Sequence, residues 1–148
     1  MKLNFLTLVC ITSLASAESF CPSRAATNQE QIDIFYQFVR KYYIQKNVPL
    51  AFSDHFSSTY IEHNPAASSG WNETSITGLA AFIVAAKLEI IHAGFYNNTG
   101  YVHFREDVEG APPTAVVDIL KFEGTCVVER WDVAQAKPVN PANPLALW

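Results

Sequence analysis

The sequence predicts an α+β domain: helices in the first half, then a four-stranded antiparallel meander, with the helices covering one face of a curved sheet. Two observations predict it. The hydrophobic period is helical up to about residue 89 and alternates like a strand beyond it. The alternating runs are separated by turn chemistry: Asn97-Asn98, then residues 108–113, then Glu123-Gly124. No internal repeat, low-complexity tract or linker divides the 148 residues, a length suited to one domain.

The elements follow in order. Residues 1–17 (MKLNFLTLVCITSLASA) have a Lys near the front, an apolar run and then Ala15-Ser16-Ala17. This is the pattern of a secretory signal peptide, and its apolar run is shorter than the ~20 residues that span a membrane. A single mature domain, 18–148, is expected, with its core at 27–135. Thr27-Asn28-Gln29-Glu30 is a capping box that opens a helix over 29–45, with Ile32, Phe35, Tyr36, Val39 and Tyr43 at helical spacing. Pro49 starts a shorter helix over 50–56. A Ser- and Gly-rich loop follows at 66–74. A third helix is expected over 76–89, where Ile76, Leu79, Ala80 and Ile83 share a face. Strands are expected over 89–96, 99–107, 114–123 and 125–135. The tail, 136–148, carries Pro138, Pro141 and Pro144 and is read as an extended segment packed along the domain or a partner subunit, because proline cannot donate to a central ladder.

Composition excludes some functions. The net charge is −4 and no Lys/Arg cluster occurs, so no nucleic acid is expected as a partner. The four histidines show no HxH or HxxxH spacing, so no metal is expected, and no GxSxG supports a serine nucleophile. Once Cys10 leaves with the signal, Cys21 and Cys126 remain. In an oxidising compartment the pair reads as one disulfide, the other reading being two independent thiols. Asn72-Glu73-Thr74 and Asn97-Asn98-Thr99 are then glycosylation acceptors of a secreted protein, Asn72 and Asn97 carrying the sugar.

The candidate site lies on the strands. If Asp107 pairs with Thr114 and Phe122 with Thr125, then His103, Asp118 and Glu129 form one row across three strands, with partners ~5 Å apart. Arg130 would face away from this row by strand parity. A carboxylate on an apolar strand face costs stability unless paired, and beside a histidine it can act as a general acid/base. The alternative is a polar cluster that satisfies itself within the sheet. A register shift of one residue, or a bulge, would break the row. By themselves His63 and Asn64 read as capping and turn residues, and His55 and His92 as surface or packed residues.

Tyr60-Ile61-Glu62-His63-Asn64-Pro65, Val102-His103, Val116-Val117-Asp118-Ile119 and residues 128–135 (VERWDVAQ), in this order and spacing, resemble the SnoaL-like polyketide cyclase group of the nuclear-transport-factor-2-like (NTF2-like) superfamily. The resemblance implies a cone-shaped α+β fold, with N-terminal helices packed on a curved antiparallel sheet that encloses a mostly apolar pocket, and a homodimer through the outer face of the sheet. It implies that Asp118 is the acid/base of a cofactor-free reaction on a small carbonyl compound (aldol cyclisation, isomerisation or dehydration) and that His103 lies beside it. Tyr60, His63, Asn64, Glu129 and Trp131 would shape the pocket. The alternative function is a non-catalytic carrier of a small apolar ligand.

Overall fold

The computed structural model describes residues 19–148; the expected signal peptide, 1–17, lies outside the described residues. Helix α1 (Asn28–Val39) opens on Thr27, whose hydroxyl accepts from Glu30 N at 3.2 Å. It continues into a π-helical turn, Arg40–Ile44. The extra residue in that turn lets the consecutive Tyr42 and Tyr43 both face the core, 2% and 3% exposed. Helix α2 (Val48–His55) begins with Asn47 capping Leu50 N and with Pro49 in its first turn. Helix α3 (Glu73–Ala85) is capped by Asn72, whose Oδ1 accepts from Ser75 N.

The strands are β1 (Phe56–Glu62), β2 (Lys87–Tyr96), β3 (Thr99–Asp107), β4 (Thr114–Glu123) and β5 (Cys126–Ala136). They form one sheet in the order β1-β5-β4-β3-β2. The sheet is therefore mixed and five-stranded, not a four-stranded meander: β1 runs parallel to β5. Its Ser57-Ser58-Thr59 segment hides the strand from a periodicity reading, yet Phe56, Tyr60 and Glu62 are all buried. The third helix ends at Ala85, and β2 starts two residues later. The β2–β3 turn places Asn97 and Asn98 at φ 46° and 59°, the geometry of a two-residue hairpin with positive φ at both central positions.

Two register details differ from expectation and decide the site. In β3–β4, Thr114 pairs with Glu106 rather than Asp107, so Asp118 faces Val102 and His103 faces Val117. In β4–β5 the turn is Gly124-Thr125, Phe122 pairs with Val127, and Lys121 then pairs with Glu129. Val128 is the extra residue of a bulge. The displaced turn alone would keep the faces, but the bulge exchanges them. Arg130 and Asp132 consequently join Asp118 on the inner face.

The core lies between that face and the helices: Ile34, Phe35, Phe38, Phe52, Val102, Phe104, Leu120 and Val127 are each 3% exposed or less. A disulfide joins Cys21 to Cys126. It ties residues 19–26 along the β4–β5 turn, where Thr125 N donates to Arg24 O at 3.0 Å. Gly124 (φ +54°) is required there, because a Cβ would collide with the Arg24 carbonyl. Beyond Ala136, the last residue of β5, the tail forms no strand. It folds back so that Trp148 lies under Arg105 (4.7 Å) and Lys137 (4.9 Å).

Candidate functional site

A two-lobed cavity lies between the sheet's inner face, α3 and the loop after β1. The larger lobe, about 220 Å³, is lined by Tyr42, Phe82, Phe104, Glu106, Asp118 and Asp132, among others. The smaller, about 120 Å³, includes Tyr60, Glu62, Ile76 and Gly70. Asn64, Leu79, Arg130 and Asp132 line both lobes and mark where they meet.

Arg130 organises the charges. Its Nη1 donates to Glu62 Oε2 at 3.0 Å; its Nη2 reaches Asp118 Oδ1 at 2.9 Å and Asp132 Oδ2 at 3.2 Å. Asp118 and Asp132 are directly opposite each other on neighbouring strands. Two carboxylates so placed repel, and the shared guanidinium is what makes the pair tolerable. Burial opposes the Arg130 charge, but Asp118 first, then Tyr42 and Glu62, outweigh it and hold its pKa well above the ordinary value. Asn64 completes the arrangement, its Nδ2 donating to both Asp132 oxygens at 2.9 and 2.7 Å.

Asp118 is 2% exposed, and both its oxygens are engaged. Oδ1 accepts from Arg130 and Oδ2 from the Tyr43 hydroxyl. Burial first, then the Asp118 charge, pushes the Tyr43 phenol far up, so it remains a donor. Glu106 differs. It lines the larger lobe with no hydrogen bond or ion pair among the described residues. Burial and the charges of Asp118 and Asp132 raise its pKa, a setting that favours a carboxylic acid over a carboxylate.

The expected row does not form. His103 is on the outer face, where its Nδ1 meets His92 Nδ1 at 3.2 Å; the one-residue register change put it there. Glu129 is also outside, held by Lys121 at 2.5 Å and His63 at 3.0 Å, and these two partners lower its pKa in that order. Trp131 stacks on His63 with ring centroids 4.3 Å apart. Thus, of the pocket candidates, Tyr60 and Asn64 reach the cavity, whereas His63, Glu129 and Trp131 form an outer cluster. Glu62, Arg130, Asp132, Glu106, Tyr42 and Tyr43 were missed. Glu62 and Asp132 stand inside the segments singled out above; the parity of Arg130 and Asp132 was hidden by the bulge. Asn72 and Asn97 are both exposed.

No protein-family model matches the chain, and no curated protein does. Solved structures do. An NTF2-like protein of unknown function from Mesorhizobium loti superposes with TM-score 0.61 at 10% identity, over 76% of this chain and 97% of that one. The fold is NTF2-like. A protein provisionally named a SnoaL-like polyketide cyclase, from Jannaschia sp. CCS1, shares this NTF2-like fold with TM-score 0.55 at 13% identity, over 76% of this chain and 90% of its own. An NTF2-like protein of unknown function from Burkholderia xenovorans LB400 gives 0.57 at 15%, over 77% and 89%.

Proposed function

We propose that this NTF2-like chain is a small-molecule pocket protein that performs cofactor-free acid/base chemistry on a small carbonyl compound: aldol cyclisation, isomerisation or dehydration. The observation that carries the reading is Glu106, an unpaired carboxyl of raised pKa facing the same cavity as Asp132. Acid/base work needs one group to give a proton and one to take it, in a site that excludes bulk water. Asp132, 18% exposed at its side chain and oriented by Asn64 and Arg130, removes the proton alpha to the carbonyl. Glu106, in its acid form, donates to the carbonyl oxygen. Asp118 keeps its place in this reading as the group that fixes Arg130 and adds to the field that raises Glu106; at 2% exposed it is a weaker candidate for proton carrier than the more open Asp132.

The test is hydrogen–deuterium exchange at the alpha carbon of small ketones, from acetone to 2-tetralone, followed by proton NMR in D₂O. Exchange above the buffer rate is expected for at least one ketone. Glu106→Gln and Asp132→Asn should each lower it about 100-fold, the usual scale of a positioned acid or base. Rates equal to buffer across the panel would overturn catalysis and favour the carrier.

Extracellular action is part of the proposal. The Cys21–Cys126 disulfide supports it, and none of the described helices is long and apolar enough to cross a membrane. Glycosylation fits at Asn72, because a sugar on Nδ2 leaves Oδ1 free to cap α3. A homodimer through the outer sheet face is supported by the exposure of Ile61, Tyr101 and Val133 there.

A further inference from the structure

We propose that the cavity selects a small ligand bearing a protonated amine, its ammonium seated among Glu106, Asp118 and Asp132 and its hydrocarbon against Tyr42, Phe82 and Phe104. This rests on the reading above that the cavity is the binding site, and it adds a ligand class to it.

The charge balance is the first ground. The two lobes are lined by four carboxyl groups, those of Glu62, Glu106, Asp118 and Asp132, and by one cation, Arg130, so the excess stays negative even with Glu106 in its acid form. That cation already pairs with three of them, Nη1 with Glu62 and Nη2 with Asp118 and Asp132. One guanidinium offsets one unit of charge, and low-dielectric walls concentrate the remaining negative field within the lobe. A carboxylate or phosphate ligand would add to that repulsion. An ammonium relieves it.

The second ground is Tyr42. It is 2% exposed and lines the larger lobe, yet no hydrogen bond to its hydroxyl occurs among the described residues. Its neighbour Tyr43, equally buried, does have a partner, Asp118. Burial above all pushes the Tyr42 phenol up, so the hydroxyl stays protonated. The hydroxyl is not among the sealed unpaired atoms of the described residues, so it opens to the lobe, where a ligand N–H can donate to its oxygen. The walls are the third ground, because the aromatic faces of Tyr42, Phe82 and Phe104 attract a cation that hydrocarbon walls would merely tolerate.

The same geometry sets a pH dependence. Glu106 faces Asp118 on β4, Asp132 and Arg130 on β5, and Tyr42 on the π-helical turn; α3 brings only Leu79, Phe82 and Ile83 to the lobe. Burial, and then the like charges of Asp118 and Asp132, raise Glu106, and a bound ammonium opposes both and favours its ionisation. Amine affinity therefore rises as pH rises through the Glu106 titration.

Isothermal titration of the folded mature chain with benzylammonium, benzyl alcohol and benzoate tests this, since the three differ in charge and little in shape. Benzylammonium should bind about tenfold more tightly than benzyl alcohol, with benzoate not binding, and its affinity should fall as pH is lowered through the Glu106 titration. Glu106→Gln should weaken the amine about tenfold and change benzyl alcohol less than about twofold. Equal affinity for amine and alcohol, no benzylammonium binding, a preference for benzoate, or an unchanged amine affinity in Glu106→Gln would each overturn the proposal. If the amine preference holds while ketones fail to exchange, the acid/base reading falls and this one stands. If ketones exchange without an amine preference, the reverse follows.

Discussion

His55 is 0% exposed, its ring between Phe20 (4.9 Å) and Phe38 (5.8 Å). Its Nε2 accepts from Lys41 Nζ at 3.3 Å, while Nδ1 has no partner. Burial, and then the Lys41 ammonium, lower its pKa to about 3. A histidine free in the unfolded chain titrates near ~6.5, so below that pH the unfolded state binds the extra proton and the folded state does not. The stability that His55 contributes is thus fully present above about pH 6.5 and is lost as pH falls toward about 3, at up to roughly 1.4 kcal/mol per pH unit. Urea denaturation of the wild type and of His55→Phe between about pH 7 and pH 4 measures this, and the variant should show the shallower decline. Identical slopes would mean that the acid sensitivity comes from the carboxylates alone. Arg130 shows the same lesson in the other sign: a charge can stay buried when its partners, here Glu62, Asp118 and Asp132, are all in place.

Strand β5 shows how one element chooses the site. The extra residue at Val128 turns Arg130 and Asp132 inward and leaves Glu129 and Trp131 outside. Deleting Val128 would restore a continuous ladder and exchange these pairs, driving Glu129 into the core and the guanidinium out of it. Deletion should therefore remove several kcal/mol of stability in urea, whereas Val128→Ala, which keeps the extra residue, should cost about 1 kcal/mol. Equal losses in the two variants would show that the bulge does not hold the faces. The π-helical turn plays a matching part in the first helix, because it is what turns Tyr42 and Tyr43 together toward the carboxylates.

At the scale of the molecule, the disulfide closes a loop with a sequence separation of 105 residues. It holds the N-terminal arm, where Thr125 Oγ1 donates to Phe20 O at 2.6 Å and Phe20 N to Asp54 O at 2.8 Å. A link over so long a loop removes much chain entropy from the unfolded state, so Cys21→Ser with Cys126→Ser should lower stability by about 3–5 kcal/mol. The cavity lies elsewhere on the sheet, and ligand binding by the folded double variant should match the wild type. Titration after urea calibration separates the two effects, and a lost cavity in a folded variant would tie the arm to the site.

The α+β class, the three helices, four of the strands and the cysteine pair were legible in the sequence, because each rests on local periodicity, capping or turn chemistry. Asp118 stood out for the same reason: a carboxylate between Val116 and Leu120 on an apolar strand is a local anomaly. Strand β1 was not legible, since its parallel partner is some 70 residues away and its polar Ser57-Ser58-Thr59 segment carries no period. Nor were the neighbours of Asp118. Strand parity changes sign with every added residue, so a register one residue off and one bulge were enough to replace His103 and Glu129 by Arg130 and Asp132. Which side chains are ionisable is written in the chain; which of them meet is decided by hydrogen bonds between strands, a property of the folded sheet that no single segment encodes.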